Sequence, residues 1–485
     1  MGASTKRKPK PKPAPEPVQL TILDVCNDPD LFGPWFKDRE SWAAWFVFLK
    51  VMFGHPLDET ELKVFQECTH RSAPSPTGHL SAALVIGRRG GKSLILALIA
   101  AYLASFRDWT PYLTGGETGH LVILAADRRQ GKAILGYLKG MLSIPLLAGL
   151  ITRETAEVLE IGSKNIAISI ETASFKTIRG RTIVAALCDE QAFWSADDSG
   201  ANPDSEVIAA IKPAMLSVPG AMLFMASSPY SRRGVLYEEY RKHFGKDDSA
   251  TLVWQASTLR MNPKAPQSFI DEMYESDPTR AAAEYGAEFR SDIEAFISRE
   301  AVDAVVAPGI FELPPLFGTD YFAFVDPSGG SSDSMTLAIA YRQGDRAILA
   351  AVREAKPPFS PESVVSEFAV LLKAYGIKEI TGDRYAGEWP RERFYVHGIE
   401  YRVSVKPKSD LYRDLLPLIN SAGVELLDNA KLIAQLCSLE RRTARGGKDS
   451  IDHPPGGAHD DVANAVAGAL VLATTVNKGP RLFFA

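Results

Sequence analysis

The segment "SAALVIGRRGGKSLILALIAAYLA", residues 81–104, constrains the fold more than any other part of this 485-residue chain. An apolar strand-like piece runs into glycines and arginines, then into Lys92-Ser93 and an apolar helix-like run. That is the layout of a loop whose backbone N–H groups, with the positive end of a helix, receive phosphates. The common spacing sets a glycine five residues before the Gly-Lys pair, and Ile86 stands there. Two readings remain open on this segment alone: a modified phosphate loop, or a glycine turn that ends in Lys-Ser.

The rest of the chain favours a mixed α/β protein. Its length exceeds one ordinary core and predicts two large domains. Apolar strands "HLVILAAD", "NIAISIETA", "TIVAALCDE" and "AMLFMASSP" alternate with helical patterns at 92–106 and 129–141. Continuous apolar strands separated by helices indicate a parallel sheet buried on both faces, over roughly 41–260. Helices are expected before it at 35–53 and 57–70, the second carrying Gln66, and after it over most of 268–290. "APGIFELPPLFG", 307–318, reads as a boundary. Three short strands follow, "DYFAFVDPSG", "SMTLAIAYRQG" and "RAILAAVREAK". Then come a helix at 361–375, strands "IKEITGDRY" and "EYRVSVKPK", and helices at 409–421, 429–440 and 460–476. That succession predicts a ribonuclease-H-like domain. The expected division is a flexible Lys/Pro-rich arm (1–34), a domain built on the phosphate-loop segment and its parallel sheet (35–265), a helical junction and linker (266–318), a ribonuclease-H-like domain (319–477) and a short tail (478–485).

Composition adds exclusions. The net charge of −5 carries no global nucleic-acid signature, so contact with a polyanion must come from local patches such as Arg88-Arg89, Arg179/Arg181 or Arg441-Arg442. Four cysteines without a CxxC pair argue against a zinc site or a disulfide framework and fit a reducing cytosol. The start, "MGASTKRKPKPKPAPEP", alternates Lys and Pro, reads as an extended arm and has no signal-peptide core. No apolar run is long enough to span a bilayer, so a cytosolic protein is expected.

Two constellations carry chemistry. In the first, Gly87, Arg88, Arg89, Gly90 and Gly91 form the cradle, Lys92 reaches the β/γ-phosphates and Ser93 holds Mg²⁺. About a hundred residues on, an apolar strand ends in Asp189-Glu190. Asp189 suits Mg²⁺ coordination and Glu190 suits orienting or deprotonating an attacking water, which points to ATP hydrolysis rather than a kinase. Ser227 and Ser228, at the end of another apolar strand, fit either a γ-phosphate sensor or a Ser-Ser-Pro turn.

The second constellation is acidic: Asp326 and Asp383 close predicted strands, and Asp460-Asp461 open the last helix. Two-metal nucleases draw carboxylates from separate elements so that two hard cations sit about 4 Å apart and clamp a phosphate. Helix capping is the competing role for Asp460 and Asp461, and the two roles are compatible. Asp333 fits a supporting position beside Asp326, and Glu388 an extra ligand. His459 fits a carboxylate-orienting or DNA-contacting role, or a plain surface position.

With these residues in place, the chain over roughly 60–475 resembles the large terminase subunit of tailed bacteriophages, a DNA-packaging motor with an endonuclease. The order of ATPase, "AAEYGAEFRSD" (282–292) and nuclease carries the resemblance, and the family's phosphate loop likewise departs from the common spacing. The resemblance implies that Arg88 contacts the γ-phosphate, that Gln66 recognises adenine, and that Arg179 acts as a finger across subunits or touches DNA. It matches Asp326, Asp383 and Asp461 to two divalent ions, Mg²⁺ or Mn²⁺, with Asp460 undecided. One departure is Asn464, where many relatives have a further Asp. The implied partners are double-stranded DNA, a portal protein, a small terminase subunit and copies of the chain in a ring. The implied location is the host cytoplasm, transiently on the procapsid portal. The alternatives are a cellular helicase-like ATPase fused to a ribonuclease-H-like nuclease, which would need a second motor lobe, and a non-catalytic scaffold with a dead nucleotide site.

Overall fold

A computed structural model describes residues 20–126, 128–172, 178–194, 203–331, 333–383, 389–443, 449–454 and 459–475. Strands are β1 (Ser81–Ile86), β2 (Gly119–Ala125), β3 (Ile151–Glu154), β4 (Val158–Ile161), β5 (Ile166–Thr172), β6 (Thr182–Asp189), β7 (Met222–Ser227) and β8 (Thr251–Ala256). They continue as β9 (Ile293–Ala295), β10 (Val306–Ala307), β11 (Tyr321–Asp326), β12 (Met335–Gln343), β13 (Arg346–Ala355), β14 (Glu379–Gly382), β15 (Glu400–Val403), β16 (Val424–Leu427), β17 (Glu440–Thr443) and β18 (Asp449–Asp452).

The first sheet has the order β3-β4-β5-β2-β6-β7-β1-β8 and is parallel from β5 to β8. Its strands read as continuous apolar runs because both faces are covered. Alternate residues serve different cores. Leu84, Ile86, Leu121 and Ile123 pack with the helices Lys92–Ser105 and Arg128–Leu142. Val85, Val122 and Leu124 pack with Val207 and Ile211 of the helix Pro203–Met215 on the other face. β7 lies between β1 and β6, so the ends of all three meet at one edge. The antiparallel pair β3 and β4 at the far edge extends the expected parallel sheet. The exposed and half-buried residues of β3 carry no apolar run.

The second sheet has the order β10-β16-β13-β12-β11-β14-β15. β11, β12 and β13 form an antiparallel meander, and β14 then β15 add parallel on the other side of β11. This is the expected ribonuclease-H-like arrangement of three sequential strands followed by two parallel ones. Phe324, Ala338 and Ala340 face the helix Asp461–Thr475. Ala323, Val325, Leu337 and Ile339 face the helix Pro361–Ala374.

A third sheet, β18-β17-β9, pairs a strand of the junction segment with two strands of the second half. Within the expected helical stretch 268–290, helices cover Gln267–Ser276 and Pro278–Glu284, with Pro278 at the first helical position. Residues 285–290 are not helical: Ala287 is left-handed (φ 63°) and Ser231 bridges Arg290. The aromatic stretch 35–53 likewise resolves into two short 3₁₀ turns and one helix, Ala43–Met52. Among the described residues no helix is long and apolar enough to cross a membrane.

Candidate functional site

The strand-end edge of the first sheet gathers the phosphate-loop residues and the paired acids. Lys92 opens its helix and is only 5% exposed, so its ammonium must find acceptors within the protein. It donates to Ile86 O at 3.2 Å and Ser228 Oγ at 3.0 Å, and lies 3.6 Å from Glu190 Oε1. Glu190 is left-handed (φ 48°) immediately after β6. Its Oε2 accepts from Ser227 Oγ at 3.1 Å and Ser228 N at 3.4 Å. The Ser227-Ser228 strand end thus holds both the lysine and the glutamate.

Asp189, the last residue of β6, is 3% exposed, and its Oδ1 has no hydrogen-bond partner. Burial pushes its carboxyl up to about 7, helped by the Glu190 charge, while Lys92 and the Ser93 hydroxyl pull the other way. A buried, unpartnered carboxylate oxygen beside a serine hydroxyl is a hard-oxygen set that suits Mg²⁺. Ile86 ends β1 fully buried, and its Cγ2 would lie 2.7 Å from a Cβ at Gly90. The glycine missing at 86 is therefore matched by one at 90 that leaves room for the isoleucine.

Other expected members lie further out. The Arg88 side chain is 59% exposed and pairs with Glu284 at 3.3 Å, while its N–H donates to Glu284 O at 2.5 Å. Segment 282–292 therefore touches the loop directly. Arg89 is exposed with φ 63°. Gln66 is exposed on the helix Glu59–Thr69 and donates to Ser72 O at 3.0 Å. Among the described residues no hydrogen bond joins Gln66 to the loop. Arg179 is exposed and lines a cleft with Arg181, Glu206 and Pro213.

On the second sheet, Asp326 ends β11. Gly382 of β14 pairs with Val325, and Asp383 N donates to Val325 O, which sets the two acids side by side. Asn464 joins them: its Nδ2 lies 2.9 Å from Asp326 Oδ2 and 3.2 Å from Asp383 Oδ2. Asp461, Asn464 and Gly468 occupy one helix face, at i, i+3 and i+7. Gly468 sits on the Phe324 ring so closely that an added Cβ would lie 2.2 Å from it. Asp461 Oδ2 accepts Ser334 N at 3.2 Å, and Asp461 O accepts Thr336 Oγ1 at 2.7 Å. Burial raises the Asp326 carboxyl to about 8; the Asn464 hydrogen bond opposes this, and Asp461, Asp383 and Asp460 add to it. The buried Asn464 Oδ1 has no partner. Carboxylates from two strands and one helix, with an orphan amide oxygen, suit Mg²⁺ or Mn²⁺.

Asp460 belongs to a different network. Its carboxylate accepts Tyr412 Oη at 2.8 Å, Lys408 Nζ at 3.1 Å and His453 Nδ1 at 3.1 Å. Asp452, His453 and Asp460 form the one described triad whose ligand atoms all lie within 4.8 Å of one another. Lys408 already supplies the cation there, at 2.7 Å from Asp452 Oδ1. Of the Asp460-Asp461 pair, Asp461 acts more strongly on Asp326. His459 Nδ1 lies 3.3 Å from Asp333 Oδ1, both half exposed. Glu388 lies outside the described residues. Lys408, Tyr412 and the bridging role of Asn464 were not predicted. A neutral Asn one helical turn after two acids was the only sequence signal for any of them.

No family model and no curated protein matches the chain. Among solved structures it is similar to the HK97 bacteriophage large terminase, at 17% identity and TM-score 0.38, over 88% of this chain and 99% of that one. It is also similar to the ADP complex of a thermophilic bacteriophage's large terminase, at 12% identity and TM-score 0.38, over 89% and 99%. A third match is the large terminase nuclease of thermophilic phage G20c with bound magnesium, at 17% identity and TM-score 0.31, over 36% and 98%.

Proposed function

We propose that the chain is a large terminase subunit: an ATPase that drives double-stranded viral DNA into a procapsid and a metal-dependent endonuclease that cuts concatemeric DNA. The observation that carries this reading is the presence in one chain of two separate anionic centres. Lys92, Asp189 and Glu190 meet at one sheet edge, and on the other sheet Asn464 bridges Asp326 and Asp383, with the Asp461 charge acting on Asp326.

In the first centre Lys92 would hold the β/γ-phosphates of ATP, and Ser93 and Asp189 would hold Mg²⁺, which would supply neutralisation of phosphate charge. When Lys92 turns to the phosphates it leaves Glu190, whose carboxylate then orients or deprotonates the attacking water. Ser227 and Ser228, bonded to both residues, carry that change into the segment that follows them. In the second centre Asp326, Asp383 and Asp461 would hold two divalent ions, Mg²⁺ or Mn²⁺, which would supply an activated water and charge stabilisation of the leaving oxygen. Contacts to backbone phosphates carry no sequence information, which suits a motor that must move any DNA. Copies of the chain would form a ring on the portal in the host cytoplasm, with a small terminase subunit choosing the start site.

The test is DNA protection in purified procapsids supplied with ATP and a small terminase subunit. Wild-type protein should render DNA resistant to added DNase, and Glu190→Gln should not. Protection that is equal in both would sink the reading.

A further inference from the structure

A phosphate cradle works only if the loop turns its carbonyls away from the anion and its N–H groups toward it. In this loop every carbonyl from Ile86 to Gly91 has a donor. Ile86 O takes Lys92 Nζ, Gly87 O takes Gly90 N, and Gly91 O takes Ile95 N. The other three are held from outside. Arg88 O accepts Thr258 Oγ1 at 2.7 Å, Arg89 O accepts Asn262 Nδ2 at 3.2 Å, and Gly90 O accepts Trp45 Nε1 at 2.7 Å. Among the described residues, the backbone N–H groups of Arg89, Gly91, Lys92 and Ser93 donate to no acceptor. The two sets are complementary: carbonyls pinned outward, four donors left over.

We propose that Thr258, Asn262 and Trp45 are positioning residues for the nucleotide, a three-point clamp that fixes the loop's peptide planes where the usual leading glycine is replaced by Ile86. The clamp fits the loop from two sides. Trp45 is fully buried on the helix Ala43–Met52, and an added Cβ at Gly91 would lie 2.9 Å from Trp42 and 3.1 Å from Trp45 Nε1. Thr258 opens the helix Thr258–Met261 just after β8, and a Cβ at Gly87 would lie 2.4 Å from its hydroxyl. Only glycine admits such close approach at either place. The clamp rests on the assignment of residues 87–93 to a nucleotide.

Calorimetric titration with Mg·ADP, paired with steady-state ATP turnover, tests the clamp. Thr258→Val keeps the side-chain shape and loses the donor, and Asn262→Leu does the same. Each should weaken Mg·ADP binding and raise KM for ATP about tenfold, the scale of one lost hydrogen bond, with kcat within about twofold. Thr258→Ser keeps the hydroxyl and should bind like wild type. Trp45→Phe should behave as Thr258→Val if it folds; the decision rests on the other two variants. Unchanged binding in Thr258→Val and Asn262→Leu, or Thr258→Ser no better than Thr258→Val, overturns the clamp. Wild-type protein that fails to bind Mg·ADP overturns the nucleotide assignment itself, and the clamp with it.

Discussion

The Tyr230 hydroxyl donates to Glu440 Oε2 at 2.9 Å, across the seam between the two halves of the molecule. Tyr230 stands three residues after Ser227 at the end of β7, and Glu440 opens β17. Glu440 is fully buried and also takes Arg233 and, at 3.2 Å, Arg442 Nη2. Arg442 in turn donates to His453 O at 2.7 Å, beside the Asp460 network. Removing the carboxylate strands a hydroxyl and two guanidinium groups. Glu440→Ala should therefore cost about 3 kcal/mol, and Glu440→Gln clearly less because it still accepts from Tyr230. Urea denaturation measures both; an Ala variant as stable as wild type would show that the seam does not depend on Glu440.

Asn464 acts as a neutral clasp between Asp326 and Asp383. Asn464→Asp replaces a donor by a further negative charge. The metal-free protein should lose stability, and Mn²⁺ should bind about tenfold more tightly. Thermal unfolding and calorimetric Mn²⁺ titration would report the two effects. A metal-free variant with an undiminished melting temperature would mean that the amide does not hold the acids together.

Gly468 sets the distance between the last helix and β11. Gly468→Ala gains helix propensity of about 1 kcal/mol but must displace Phe324 or the helix, and with it Asp461 and Asn464. Plasmid cleavage should fall by about tenfold or more, while ATP turnover, proposed for the centre on the other sheet, should stay at the wild-type rate. Equal loss of both activities would point to global unfolding instead.

Asp326 should give divalent-ion binding at the proposed metal centre a pH dependence. A carboxyl whose value in the folded chain is about 8, against 3.8 unfolded, keeps its proton in the folded state between those values. Stability of the metal-free protein from this group therefore falls as pH rises through that window. Divalent ions must displace the proton, so Mn²⁺ affinity should rise by up to about tenfold per pH unit from pH 6 to 8 and then level off. Titrations at three pH values, repeated in buffers of different ionisation heat, would count the proton released. The slope should flatten in Asp326→Asn; a slope unchanged by that substitution would assign the proton elsewhere.

The features legible in the sequence are those written locally. Residues 81–93 and the acids ending apolar strands announce themselves because a doubly covered strand must be apolar up to the edge where chemistry begins. The strands β17, "ERRT", and β18, "DSID", have no such run; they pair with each other, and β17 also pairs with β9, far away in the chain. Thr258 reaches Arg88 across 170 residues, a contact that no periodicity encodes. Asp460 and Asp461 are equal as letters, and only the placement of Lys408, Tyr412 and His453 separates them.

Nicking of supercoiled plasmid in Mn²⁺ without nucleotide, by wild type, Glu190→Gln, Asp326→Asn and Asp383→Asn, tests the two-centre account most directly. Wild type and Glu190→Gln should nick at similar rates, and both aspartate variants should be inactive. Nicking that survives Asp326→Asn, or that disappears in Glu190→Gln, would contradict it.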